Sequence, residues 1–188
     1  MSTIKVNNIQ SRTGSAISFT SGDTITIPSG ATLTNNGTAS GFGKIGQVVS
    51  TFKNDSFGTS STSLVDITGF SATITPSSTS SKILIMVCGG ISPGTGGHNV
   101  LLSLLRDSTE IGQGTGGGTS NNFVFTNMGA NSDIAPFGSH FLDSPSTTSA
   151  ITYKMQMAST SGTAQLNRRA DTGVRTMSSS ITLMEVLA

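Results

Sequence analysis

Apolar positions along this chain come in short alternating runs, not in helical stripes. No stretch places apolar residues at i, i+3, i+4 and i+7 over three turns with good helix formers between them. Leu101, Leu102, Leu104 and Leu105 begin such a pattern, but Gly96, Gly97, Gly112 and Gly114 bound it too tightly for a long helix. Runs of β-branched and aromatic residues, punctuated by Gly, Pro, Asn and Ser, predict an all-β chain. From residue 45 onward the pattern predicts strands at 45–53, 63–75, 82–89, 98–105, 109–113, 122–128, 137–142, 149–158, 162–167 and 176–187. That number of runs fits a jelly-roll-like β-sandwich. Arg106-Asp107-Ser108-Thr109 reads as a tight hairpin turn.

Two of these runs are apolar on both sides. Ile83-Leu84-Ile85-Met86-Val87-Cys88 has no polar alternation, as expected of a central strand covered on each face. Cys88 within it reads as an inert core residue. The last strand puts Ile181, Leu183, Glu185 and Leu187 on one face and Met184 and Val186 on the other. A strand lying between its own core and a symmetry axis has this pattern. Asp at either Leu183 or Met184 is therefore expected to break assembly. Glu185 is expected to be a solvated rim charge or the partner of an Arg such as Arg106.

The first forty residues follow a different period. In octets, 16–23 is AISFTSGD, 24–31 is TITIPSGA and 32–39 is TLTNNGTA, with 8–15, NIQSRTGS, fitting loosely before them. The second position holds Ile9, Ile17, Ile25 and Leu33, and the seventh holds Gly14, Gly22 and Gly30. Ile17 with Phe19, and Ile25 with Ile27, share one face of a strand. The Ser-Gly that follows turns the chain, with Gly free to take positive φ. Each unit hides only two apolar side chains, so units must stack or pack against other chains. A Ser/Gly linker is the plainer reading of the same stretch. Residues 1–44 are thus expected to form an extended anchor and thin shaft, and 45–188 a separate head, with a small-residue junction at Thr38–Lys44.

Composition sharpens this. Ser, Thr, Gly and Asn number 31, 28, 23 and 11, about half of 188 residues, while charged residues are only 10%. Leu, Ile, Val and Phe together number 44, a thin supply for one self-contained core. Partner chains are expected to supply part of the burial. Ten Lys and Arg against nine Asp and Glu provide no basic field, which argues against nucleic-acid binding. No apolar run approaches the roughly 20 residues of a membrane helix. The N-terminus carries no apolar signal core.

Enzyme chemistry finds no foothold. His98 and His140 form no HxH or HExxH pair, so no metal cluster is expected. The Gly-rich stretches at 94–97 and 112–118 lack a phosphate loop's features, there is no GxSxG elbow, and no cofactor is implied. One basic cluster remains, Asn167-Arg168-Arg169-Ala170-Asp171-Thr172-Gly173-Val174-Arg175. Arg forks to carboxylates or phosphates, which makes Arg168, Arg169 and Arg175 candidates for binding an acidic surface glycan. The alternative is a subunit contact, for example Arg168 with Asp171 of a neighbour. Asn121, Asn122 and His98 are weaker candidates for the same ligand.

In its opening, Thr3–Phe19, and again at Leu105–Thr109 and Leu166–Val186, the sequence resembles bacteriophage virion fibre proteins, especially those of marine phages. The opening, Thr3-Ile4-Lys5-Val6-Asn7-Asn8-Ile9-Gln10-Ser11 through Ala16-Ile17-Ser18-Phe19, looks like a leader found on phage structural proteins with varied C-terminal parts. The Leu105–Thr109 turn and the passage from Leu166-Asn167-Arg168 to Ser179-Ser180-Ile181-Thr182-Leu183-Met184-Glu185-Val186 look like a trimeric fibre head with a jelly-roll fold akin to tumour necrosis factor. The resemblance implies a homotrimer that docks to other virion proteins through its N-terminus and belongs to an extracellular particle assembled in the host cytoplasm. It carries over no fixed catalytic or binding residue. At 188 residues the chain is short for a long tail fibre, which points to a short tail fibre, a tail-tip spike or a head fibre. The expected function is host adsorption without catalysis. The rivals are a capsid or tail decoration protein lacking a receptor and a polysaccharide-degrading tailspike.

Overall fold

The computed structural model describes residues 29–30, 45–94, 98–116, 122–130, 133–171 and 175–187. Almost all belong to the second of two units of the chain, Gly43–Ala188. The described residues are all-β. The strands are β1 (Ile45–Lys53), β2 (Phe57–Thr59), β3 (Val65–Ile74), β4 (Lys82–Ser92), β5 (His98–Arg106), β6 (Thr109–Ile111), β7 (Val124–Met128), β8 (Ala135–Asp143), β9 (Ile151–Ser159), β10 (Ala164–Leu166) and β11 (Ser179–Val186). Each predicted run meets one of them, and β2 is additional. The octet repeat lies outside the described residues except for Ser29-Gly30, a turn with Gly30 at φ 84°. The Thr38–Lys44 junction and Asn121 also lie outside them.

The strands form two antiparallel sheets. In the first, β4 is central. It pairs with β8 along one edge, with β11 along the other over Lys82–Cys88, and then with β10 at Ile91 and Ser92. β1 flanks β11, and β2 flanks β10. The second sheet runs β3-β9-β5, with β7 and β6 sharing the far edge of β5. The chain crosses between sheets from β3 to β4 to β5, and again from β7 to β8 to β9 to β10. The orders β1-β11-β4-β8 and β3-β9-β5-β7 are jelly-roll wiring. The Arg106–Thr109 turn is a two-residue hairpin with Asp107 at φ 53°. Gly69, at φ 77°, sits where β3 shifts register against β9.

Period-two alternation fills the space between the sheets. Ile83, Ile85, Val87 and Ile91 of β4 and Ile181 and Leu183 of β11 are buried against Phe70, Leu102, Leu104, Tyr153, Met155 and Met157. The thin apolar supply therefore does close one core within a single chain.

Two expectations are corrected here. β4 is not covered on both faces: Leu84, Met86 and Cys88 point outward, with Met86 45% exposed and Cys88 exposed too. Leu183 and Met184 are not equivalent either. Leu183 is fully buried in the sandwich, and Met184 lies on the outer face of the same strand.

Candidate functional site

Two features distinguish this sandwich: its ends and its outer faces. The chain enters β1 at Ile45, which pairs with Val186 near the C-terminus of β11. β1 is nine residues long, at roughly 3.3 Å each, and ends at the opposite end of the sandwich. There, after β10, residues 167–169 of the basic cluster pair with residues 175–177. Met177 N–H donates to Asn167 O at 3.0 Å and Arg169 N–H to Arg175 O at 3.2 Å. Arg168 pairs with Thr176 between them.

Asn167 mounts this pairing. It is fully buried and left-handed, at φ 61°. Its Nδ2 donates to Lys53 O at 3.0 Å, Asp55 O at 3.2 Å and Ser179 Oγ at 2.9 Å. These bonds tie the paired segment to the end of β1 and the start of β11. Ala170 N–H adds a bond to Ser92 Oγ at 3.0 Å. Nearby, Lys53 donates to both carboxylate oxygens of Asp55 at 2.8 Å, which holds that carboxyl below its usual range. Arg168 and Arg175 are exposed, and Arg169 is half-buried and ion-paired to Asp171. Within the chain, Asp171 pairs with Arg169.

His98 opens β5 just after the β4 connection, at this same end, and is half-buried. Asn122 is elsewhere. Gly114 N–H donates to its carbonyl at 3.3 Å and the next residue, Phe123, bonds to Leu102, which places Asn122 beside the middle of β5. The structure therefore brings the three Arg residues and His98 to one end and leaves Asn122 out.

The outer face of the β8-β4-β11-β1 sheet is apolar. Phe52 is 66% exposed, Val48 55% and Leu142 46%, alongside Met86, Met184 and Leu84. Between them lie small polar groups, including Ser50 and Thr182 bonded at 2.9 Å and Cys88 Sγ and Ser180 Oγ at 3.3 Å. Lys82 stands at the margin of this face, opposite Val186. Gly138 opposes Cys88, and its lack of a side chain helps open a shallow hollow of about 330 Å³ lined by Met86, Cys88, His140 and Thr182.

Some polar groups act where sequence patterning pointed elsewhere. Glu185 is not a rim charge and does not meet Arg106. It is 1% exposed and accepts from Gln47 Nε2 at 2.7 Å and from both Ser77 N–H and Ser77 Oγ at 2.6 Å. Burial opposes its ionised form, but the bonds from Ser77 and Gln47 outweigh burial and hold its pKa at about 2. Arg106 instead donates to both oxygens of Asp143 at 3.0 Å, and Tyr153 OH donates to Asp143 Oδ2 at 2.7 Å. Burial, then the bond to Asp143 and its charge, push the Tyr153 phenol well above its ordinary value. This triad ties the end of β8 to β5 and β9 across the two sheets.

Among the described residues no group of three His, Cys, Asp or Glu is placed to hold a metal ion. Among them, too, no helix is long and apolar enough to cross a membrane. No protein-family model matches the chain, and no curated protein matches it at a significant level. Among solved structures, a chain from the structure of infectious bursal disease virus, Gx strain, is similar at 14% sequence identity and a TM-score of 0.41. The match covers 76% of this chain and 37% of that one.

Proposed function

We propose that the chain is the structural fibre of a phage virion, its sandwich forming the head of a homotrimer that adsorbs to host-surface saccharide. The observation that carries this reading is the outer face of β1, β11, β4 and β8. Phe52, Val48, Met86 and Leu142 are held in water by a lone chain. Burying them is favourable by about 25 cal/mol per Å². The face offers a charged partner little to pair with, so it suits surfaces of its own composition, two further copies of the chain. β11 then lies between its own core and the threefold axis.

The other half of the reading rests on the ends. Ile45 lies at one end of the sandwich and the basic cluster at the other. Residues 1–44 would dock to other virion proteins. Three weak sites per head, and several fibres per particle, yield avidity without a strong single contact. The mechanism uses no catalytic residue, metal or cofactor.

Light scattering at micromolar concentration is expected to give three times the chain mass, and purified protein is expected to compete with phage for host cells. A monomeric mass would refute the trimer. The internal Arg169–Asp171 pair uses up one cation and favours a second reading, a decoration protein without a receptor. A trimer that neither binds host cells nor competes would select that reading. Release of reducing ends from host polysaccharide would select a degrading spike instead.

A further inference from the structure

We infer that the outer face of the β5-β7 pair is a binding site for a neutral pyranose, with Phe125 stacking on the sugar's C–H face and the Asn99 amide holding its hydroxyls. The inference deepens the adsorption reading and rests on it for the source of the sugar.

The strand pattern isolates one aromatic ring. Val124 packs against the core and Met128 is buried within it, so Phe125 and Asn127 of β7 point outward. On β5, Val100 and Leu102 are fully buried, which turns Asn99 and Leu101 outward. The register sets Phe125 opposite Leu101 and Asn127 opposite Asn99. Phe125 is 57% exposed, and among the described residues no other large apolar side chain is as bare on this sheet. Val124 and Met128 already anchor the strand, so the core does not need the ring.

Beside the ring stands an amide whose position is fixed. Asn99 N–H donates to Thr160 Oγ1 at 2.8 Å, and its carbonyl accepts from Thr160 N–H at 3.1 Å. Its Oδ1 accepts from Asn127 Nδ2 at 2.7 Å. Among the described residues Asn99 Nδ2 donates to no protein acceptor, and it is not shut away from water. Residues two apart on a strand share a face about 7 Å apart, a separation that one pyranose spans. The face of an aromatic ring is negative and attracts the polarised C–H groups of a pyranose. The amide donates to a hydroxyl, which no hydrocarbon offers. Charges on this side of the sheet are paired or distant. Lys154 donates to Asp66, and Glu110 stands opposite Leu105, four residues further along β5 than Leu101. A neutral ligand fits that setting. Phe125 and Leu101 together are too small to anchor a protein partner, whose interface buries about 800 Å² a side. The Asn99 amide is held before the sugar arrives, so binding need not order it.

The test is titration of the full-length chain, followed by NMR shifts, with the methyl glycosides of galactose, glucose and mannose, with methyl glucuronide and with glycerol. At least one neutral glycoside is expected to bind with a Kd of about a millimolar. Glycerol, which has hydroxyls but no ring face, is expected to bind about tenfold more weakly. Phe125→Ala is expected to weaken glycoside binding about tenfold, and Phe125→Trp to retain or tighten it. Asn99→Asp still accepts from Asn127 but has no amide donor, and is expected to lose about fivefold. Melting temperature and particle mass are expected to match the parent in all three variants, which separates lost binding from lost folding. Binding of none of the neutral glycosides, equal binding of glycerol, or binding indifferent to Phe125→Ala would overturn the site. Tighter binding of glucuronide would overturn the neutral assignment. A lower particle mass for Phe125→Ala would overturn the site too, because another copy would then cover the ring. Neutral-glycoside binding that depends on Phe125 in a chain that does not adsorb to cells would uphold the site and remove the adsorption reading. Adsorption by a chain that binds no neutral glycoside would do the reverse.

Discussion

The two outer faces of this sandwich are built by the same alternation and end in opposite chemistry. On the β3-β9-β5 sheet, Asp66 accepts from Lys154 and from Gln156, each at 2.7 Å, and those bonds, Lys154 first, hold its carboxyl below the usual range. Thr73 meets Thr152 at 2.8 Å, and Asn127 donates to Asn99 at 2.7 Å. Phe125, beside Leu101, is the apolar exception. On the β8-β4-β11-β1 sheet, the equivalent outward positions hold Val48, Phe52, Leu84, Met86, Leu142 and Met184. The inner halves of both sheets build one core. The outer halves differ: one is a polar surface with its hydrogen bonds made internally, and the other is a surface that gains by being covered.

The largest test of that contrast uses adjacent residues of β11. Leu183→Asp puts an unpaired charge in the core, costing more than about 4 kcal/mol, and is expected to abolish the folded state by circular dichroism. Met184→Asp is expected to keep the fold and convert the proposed trimer to a monomer in light scattering. In that monomer Cys88 should react with a maleimide faster than in the parent, because the covering copies are gone. If both variants unfold alike, the distinction between inner and outer faces fails.

A smaller effect comes from Glu185, on the inner side of the same strand. Its folded pKa, about 2, lies below the ordinary 4.5. Its contribution is therefore present above pH 4.5 and is lost as pH falls toward 2. The loss amounts to roughly 3 kcal/mol. Chemical denaturation between pH 5 and pH 2 measures it, and Glu185→Gln should flatten that dependence. The smallest effect is on the polar face. Asp66→Ala is expected to cost less than about 1 kcal/mol in thermal melts and to leave the oligomer unchanged, because the pair it breaks is solvent-exposed.

Much of the fold was legible because strands of one antiparallel sandwich write their alternation into local sequence. β1 was legible to its last residue, and the turn at Asp107 was visible from its residue types. β2 was not, since Phe57-Gly58-Thr59 offers one large apolar residue and becomes a strand only because β10 provides an edge. The basic cluster was visible, but its register was not. Asn167 sets it through acceptors more than a hundred residues away. Glu185 likewise depends on Ser77, 108 residues earlier.

The sequence by itself determined the all-β class, the placement of most strands, the absence of a helical stripe and the apolar residues on both faces of β11. Those properties follow from side-chain periodicity within a few residues. Only the tertiary structure decided which half of Ile83–Cys88 is core, where Glu185 finds its donors, and which of three neighbouring Arg residues pairs with Asp171. A run of six apolar residues carries no period, so its inner side is set by the sheet packed against it. Charge partners and ladder register are set by residues distant in the chain, and no local pattern encodes them.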